Sequence, residues 1–307
     1  MLGQRSGHNI YLLDGVKVTD EYFNNLVVSP SIDAIQEFRI QKTMYPAEFG
    51  GKASALINVV TKSGANAFHG SGREFFRSDR FDARNYFDDP TQPVPPLSQH
   101  QFGASLGGPI VRDRTFFFGD YEGQQVTRSL TQAFSVPSAL LRQGHFAGFD
   151  ALCDPLTRTA GTCSPFAGNT IPAGRLNPVA IALLTQVPRP TSAGAVQNLL
   201  AVGTERTPMN QVTARIDHRL RAEDTLFGRF TSYDVRDEQP FGTSQLNETL
   251  VPGFGRTVTT HATSLALGAT HVVSSSVLNE MRFGYLRATG GQASPNQGAP
   301  TRGAKRW

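Results

Sequence analysis

The sequence predicts a mainly β protein of about seven antiparallel strands joined by alternately short and long connections. Three observations carry that expectation. Residues 212–220 alternate strictly: Val212, Ala214, Ile216 and Leu220 share one face with His218, and Thr213, Arg215, Asp217 and Arg219 share the other. That is the period of two of a strand with different surroundings on its two sides. Charged residues are only 18% of the 307, against 30 Gly and 21 Phe, a composition that suits strands and turns better than helices. Clusters of Gly, Pro, Ser and Asp then divide the alternating runs at unequal spacings.

Taken in order, Ile10 to Leu13 and Val16 to Val18 form a short hairpin around Asp14-Gly15, a strong two-residue turn signal. Residues 20–30 are irregular, with room for one helical turn. Residues 32–43 alternate, with Ile35, Phe38 and Ile40 set among Gln36, Glu37 and Arg39, and residues 55–62 (ALINVVTK) are rich in β-branched side chains. Residues 68–78 read as the first strand of a longer series. Residues 79–98 contain Pro90, Pro93, Pro95 and Pro96 and cannot form a central strand, because proline lacks the ladder donor.

Alternation resumes at 99–107, passes a turn at 107–114, and continues at 115–125, where Phe117 and Tyr121 oppose Asp120 and Glu122. Residues 127–206 form a long insertion with a short helix at 177–187 that has Pro178 near its start. Strands follow at 212–220, 225–235, 256–273 and 277–288, with a second long polar loop at 236–255. In the last strand Met281, Phe283 and Tyr285 oppose Glu280, Arg282 and Gly284. The tail at 290–307 is Gly/Pro/Gln-rich and does not continue the pattern, which predicts disorder.

Apolar residues are 39% and mean hydropathy is −0.27. The net charge of +4 is spread without a Lys/Arg block, so nothing points to a nucleic-acid partner. No run of about eighteen apolar residues exists, which excludes a transmembrane helix. It does not exclude membrane strands, whose hydropathy trace is far weaker.

The stretch at 31–70, SIDAIQEFRIQKTMYPAEFGGKASALINVVTKSGANAFHG, resembles the end of the plug domain of TonB-dependent outer-membrane receptors of the Oar-like kind, running into the first barrel strand. GQRSGHNIYLLDGVKVTD at 3–20 is similar to the middle of such a plug, and Val136-Pro137, 140–146 and 177–180 resemble the family's second external loop. The resemblance extends over about 3–288. It implies a plug remnant at 1–64, the N-terminal portion of a transmembrane barrel at 65–289 with long external loops, and a location in the outer membrane. The signal peptide, the carboxypeptidase-regulatory-like domain and the TonB box would lie upstream of Met1, which reads as an internal start or the start of a truncated gene.

The implied partners are outer-membrane lipid, TonB in the full-length parent, and an unknown large transported ligand. Closed receptors have about 22 strands around a plugged lumen. Seven strands leave two open edges that lipid cannot satisfy, so the chain alone is not expected to transport.

Within the resemblance, the plug occludes the pore and moves when TonB pulls its N-terminal box, so plug–barrel ion pairs act as latches. Glu37, Arg39 and Glu48 are the candidate plug members, and Arg215, Asp217, Arg229, Glu280 and Arg282 the lumen-facing partners. The plainer reading is that they form the polar face of a half-buried strand. Cys153 and Cys163 are the only cysteines. A disulfide suits an oxidising compartment, whereas a metal would need two more ligands and only Asp154 lies between. Two free thiols in a reducing compartment are the remaining alternative.

Enzymatic signals are weak. No G-x-S-x-G elbow and no helical His pair occurs. His261 and His271 share a strand face ten residues apart, too far to hold one ion unaided. Gly107-Gly108 with Arg112 and Arg114 lacks the G-x-x-x-x-G-K-[ST] spacing of a phosphate loop and reads as a hairpin turn. Asn247-Glu248-Thr249 is a formal glycosylation sequon, irrelevant in a bacterial source. No catalytic residue, cofactor or metal is expected. Two other readings remain: a secreted or surface β-rich adhesion module using the long loops, and a carbohydrate-active β-sandwich, which would need a close carboxylate pair.

Overall fold

The computed structural model describes residues 9–20, 26–42, 49, 55–84, 94–159, 161–241 and 255–294. Two sheets are present. The smaller comprises β1 (Ile10–Leu13), β2 (Val16–Lys17), β3 (Ile35–Gln41) and β4 (Leu56–Thr61), in the order β2-β1-β4-β3. β1 runs parallel to β4 and antiparallel to β2, and β3 is antiparallel to β4. The hairpin between β1 and β2 turns at Asp14 and Gly15, with φ of 51° and 79°. Two successive positive φ values match the strand twist, and Asp-Gly tolerates them. A 3-10 turn at Ile32–Ala34 leads into β3, and the Ser31 hydroxyl accepts the Ala34 N–H to cap it.

The larger sheet is a seven-stranded antiparallel meander: β5 (His69–Ser78), β6 (Leu97–Val111), β7 (Thr115–Phe134), β8 (Leu199–Arg219), β9 (Asp224–Gln239), β10 (Arg256–Ser274) and β11 (Val277–Ala293). Neighbours in sequence are neighbours in space, and the sheet is not closed: β5 and β11 are its edges. Connections alternate, short at 112–114, 220–223 and 275–276, long at 79–96, 135–198 and 240–255.

Several strands are longer than the sequence patterns indicate. β6 starts at Leu97, inside the loop expected at 79–98, and continues to Val111 through the expected turn. Pro109 is tolerated there because β5 pairing ends at Gly107 and the β6–β7 register shifts between Pro109 and Val111. β7 and β8 shorten the insertion expected at 127–206, and β9 runs three residues beyond its expected start of loop at 236, to Gln239. β11 reaches Ala293, into the segment expected as tail, with Gly290 and Gly291 paired to Thr260 and Thr259. In each case Gly, Pro and polar residues that signal loops are held by a neighbouring ladder. The sequon, the helical turn expected at 20–30 (apart from 26–30) and the end of the tail lie largely outside the described residues.

The chain divides into two compact units. The first contains the small sheet, β5, β6 and the portions of β7–β11 within Arg206–Glu238, Thr257–Ala293 and up to Arg128. Its faces are inverted relative to a water-soluble sheet. On the face covered by the small sheet lie Gln211, Thr213, Arg229, Thr231 and Ser264, all buried, while Val212, Ile216, Phe230, Leu267 and Phe283 on the other face are exposed. In the apolar contact between the sheets Leu13, Val18 and Val28 cluster with Ala262, and Tyr11, Val27, Val59, Tyr233 and Leu286 pack against them.

The second unit comprises Ser129–Glu205 and Gln239–Arg256 with the chain end. Phe134, Val136, Leu199 and Phe241 form its core. Fully buried Asn198 stitches this core by donating to Val136 O (2.8 Å) and Gly194 O (3.0 Å) and accepting from the Val136 N–H (2.8 Å). A short helix α1 (Ala139–Arg142) presents Arg142 to the C-terminal end of α2 (Pro178–Leu184), donating to Leu184 O (2.7 Å) and to Val187 O just beyond the helix (3.0 Å). A cation at that end satisfies orphan acceptors and complements the helix dipole. Cys153 and Cys163 are joined in a disulfide with Cα atoms 5.8 Å apart.

Candidate functional site

The site is built on the hairpin turn that the sequence marks by Asp14-Gly15. Asp14 is buried. Its Oδ1 accepts the Thr61 N–H and its Oδ2 the Thr61 hydroxyl, both at 2.9 Å, which ties the turn to the end of β4. The same carboxylate meets two strands of the large sheet. Arg215 Nη1 on β8 donates to Oδ1 at 3.1 Å, and Arg229 Nε on β9 lies 2.8 Å from Oδ2. Arg229 is fully buried and spends its other nitrogens on Thr231 Oγ1 (2.8 Å) and Ser264 Oγ (3.1 Å). Arg215 also donates to Thr61 O (3.1 Å), pairs with Asp217 through Nη2 (2.8 Å) and stacks over Phe227, 4.9 Å from the ring centre.

Two acids and two guanidinium groups thus balance within one contact. An isolated buried charge would be costly; paired and hydrogen-bonded charges are tolerable, and losing one partner strands the other.

The hairpin is held on its other side by β11. Val16 packs against Gly284, and the Arg282 guanidinium lies against Gly15 while pairing with Glu280. A side chain on Gly15 would collide with Arg282 as well as needing the positive φ.

A second polar contact joins the sheets near β3. The Ser31 hydroxyl donates to Asp120 Oδ1 on β7 at 2.5 Å. Asp33 pairs with Arg73 on β5 and accepts from the Ser71 hydroxyl. Arg73 Nη2 reaches Glu122 Oε2 at 2.6 Å, and Gln101 Nε2 donates to Glu122 Oε1 at 3.0 Å.

Of the expected contacts between the sheets, Arg215, Arg229 and Arg282 meet the small sheet directly, and Asp217 and Glu280 do so through their arginine neighbours. Glu37 and Arg39 do not: both are exposed on β3, and no ion pair joins them to the large sheet among the described residues. Their strand presents Ser31 and Asp33 at its entry instead. Glu48 lies outside the described residues. The acid that the arginines use is Asp14, whose presence turn chemistry alone would explain. Arg73, Glu122 and Asp33 were equally unforeseen; the strand parity that puts Arg73 with Ser71 was the available signal.

The outlying candidates fall elsewhere. His261 pairs with Asp234 (2.6 Å) and His271 with Asp224 (2.5 Å), each on its own. No group of three potential ligands is arranged for a metal ion among the described residues. Arg112 and Arg114 flank a turn whose Asp113 is bonded by Asn66.

A meander with a polar covered face and an apolar exposed face is the wall of a membrane β-barrel. The chain belongs to the outer membrane beta barrel domain family, whose model matches residues 60–306, and this locates it in the outer membrane. It is 33% identical over 124 residues to the TonB-dependent transporter Oar of Myxococcus xanthus, in agreement with the Oar-like resemblance. That match covers 39% of this chain and only 12% of the transporter. Among solved structures, the ferric-catecholate import receptor Fiu of E. coli is 11% identical with a TM-score of 0.44, covering 96% of this chain and 44% of that one. The siderophore receptor PiuA of Acinetobacter baumannii is 11% identical with a TM-score of 0.42, covering 94% and 38%.

Proposed function

We propose that this chain is the junction of plug and barrel in a TonB-dependent outer-membrane receptor that takes up a large substrate, and that residues 1–64 are the plug part. The observation that carries this reading is Asp14, a buried acid on the small sheet clasped by Arg215 and Arg229 of the wall. A balanced polar contact of this kind holds a plug shut and can be exchanged for water when the plug is pulled. The supporting context is the apolar exposed face: a soluble adhesion module would leave Val212, Ile216, Phe230 and Phe283 to water. The parent would take its energy from TonB, and the seven-stranded sheet by itself would not transport, since both of its edges are open.

The test is a reversible lock. A Cβ placed on Gly284 lies 3.1 Å from Val16 Cβ, close to the roughly 3.5–4.5 Å of a disulfide. Val16→Cys with Gly284→Cys, introduced in the receptor as it occurs in its outer membrane, should abolish uptake when oxidised and restore it on reduction. Full uptake with the bridge formed would show that the hairpin need not leave the wall, and the reading would fail.

A further inference from the structure

The exposed apolar face is interrupted at Gly228. On β8 its cross-strand partner is Ile216, and on the other side β10 presents Leu267 opposite Phe283 of β11. Gly228 contributes no side chain between these rows, and a Cβ there would lie 3.3 Å from Leu267 Cδ2. The result is a hollow of about 550 Å³ walled by Ile216, Leu226, Leu267, Met281 and Phe283. His218 stands at its margin. The Thr115 hydroxyl lies 2.8 Å from His218 Nδ1 and fixes the ring, so Nε2 is its remaining hydrogen-bonding atom.

We propose that this hollow is a seat for one acyl chain of a phospholipid, with His218 Nε2 placed for the headgroup end. The inference rests on the outer-membrane reading of the exposed face and goes beyond it, because a barrel wall needs only a solvent-like contact with lipid, whereas an open hollow between rows of apolar side chains favours one ordered chain. The occupant follows from position. The hollow is continuous with the lipid-facing surface, so its neighbour is hydrocarbon. It lies four residues along β9 from Asp224, about 14 Å from the short-turn end, and short turns mark the periplasmic side of such barrels. A cylinder of methylene groups fills a groove lined by branched and aromatic side chains, gaining dispersion contacts that a smooth wall lacks.

The test places the full chain, taken from outer membranes, in nanodiscs of phosphatidylethanolamine carrying a photoactivatable diazirine on the acyl chain, and maps the labelled residues. Labelling at Ile216, Leu267 and Phe283 should exceed that at Leu106 and Val212, which are exposed elsewhere on the same face. Gly228→Leu, which fills the hollow, should lose the excess and leave Leu106 unchanged. Gly228→Ala, needing only a small movement of the Leu267 tip, should lose part of it and guards against a folding defect in the larger variant. Even labelling along the face, or an excess that survives both substitutions, would overturn the seat while leaving the outer-membrane reading intact. Absence of label from the whole face would overturn both. Preference of the hollow for a lipid A probe over the phospholipid would overturn the assignment of its occupant.

Discussion

Two acid–arginine contacts in this molecule share a chemistry and differ in surroundings. In the first unit Asp14 is buried between Arg215 and Arg229, and every oxygen of its carboxylate is taken. In the second, Asp154 accepts two bonds from Arg175, at 2.5 and 2.6 Å, and Arg175 stacks on Phe166 at the surface. The shorter distances belong to the weaker contact. Water screens the surface pair and solvates either partner if the other leaves, whereas nothing replaces a lost partner beneath the small sheet. Distance alone therefore ranks them wrongly; the fate of the abandoned partner ranks them.

The largest effect should come from breaking the buried contact. Arg229→Leu leaves Asp14 short of one cation and Ser264 and Thr231 short of a donor. It should lower unfolding stability in detergent by about 3–5 kcal/mol, read from the urea midpoint at constant m-value. Pairing it with Asp14→Asn sharpens the comparison. If the two residues act as one contact, the double variant should be less damaged than the sum of the singles; strict additivity would mean that they act independently.

Next in size is the covalent constraint in the second unit. Cys153→Ser with Cys163→Ser should weaken the loop around 153–163 by about 2–3 kcal/mol, as expected for a short closed loop. Limited proteolysis should then cut within that loop while the first unit's unfolding midpoint stays unchanged. Loss of the first unit's stability would show that the two regions are energetically linked.

The smallest effect is assigned to Asp154→Asn, which should leave the global midpoint where it is and alter only amide exchange near 154–166. The hydrogen bonds from Arg175 hold the Asp154 carboxyl below its ordinary value of 3.8. A depressed carboxylate stabilises the folded loop above the unfolded value and loses that contribution as pH falls through the folded one. Protection in the loop should thus fall only in acid below about pH 4, and about 1 M salt should weaken it at neutral pH. Persistence of the same protection in acid and in Asp154→Asn would assign it to the disulfide alone.

Much of the fold was legible because a strand's alternation survives whatever its surroundings. Arg215 and Asp217 fall on the face opposite Val212 and Ile216 in the sequence as in the structure. Strand ends were less legible, since the residues that extend β6 and β11, Gly107 to Val111 and Gly290 to Ala293, carry loop-like chemistry that only a neighbouring ladder overrides. The site was half legible. Its arginines follow from parity, but Asp14 was hidden by its own turn: Asp-Gly at a hairpin is fully explained by φ, and nothing local reveals that the side chain is also a counter-ion. Arg73 was hidden because 68–78 reads only as a strand: parity sets it on one face with Ser71, and nothing local names Asp33 or Glu122 as its partners.

The count of strands in the meander has a consequence of direction. The seven antiparallel strands among the described residues are an odd number, so β5 and β11 point the same way. Any neighbour that pairs antiparallel with both edges must itself begin and end with strands pointing the opposite way, and so must contribute an odd number. A second copy held upright in the same membrane would meet β11 with a strand aligned with it, in the weaker parallel pairing. The parity of the sheet thus selects what can complete it before any side chain is consulted.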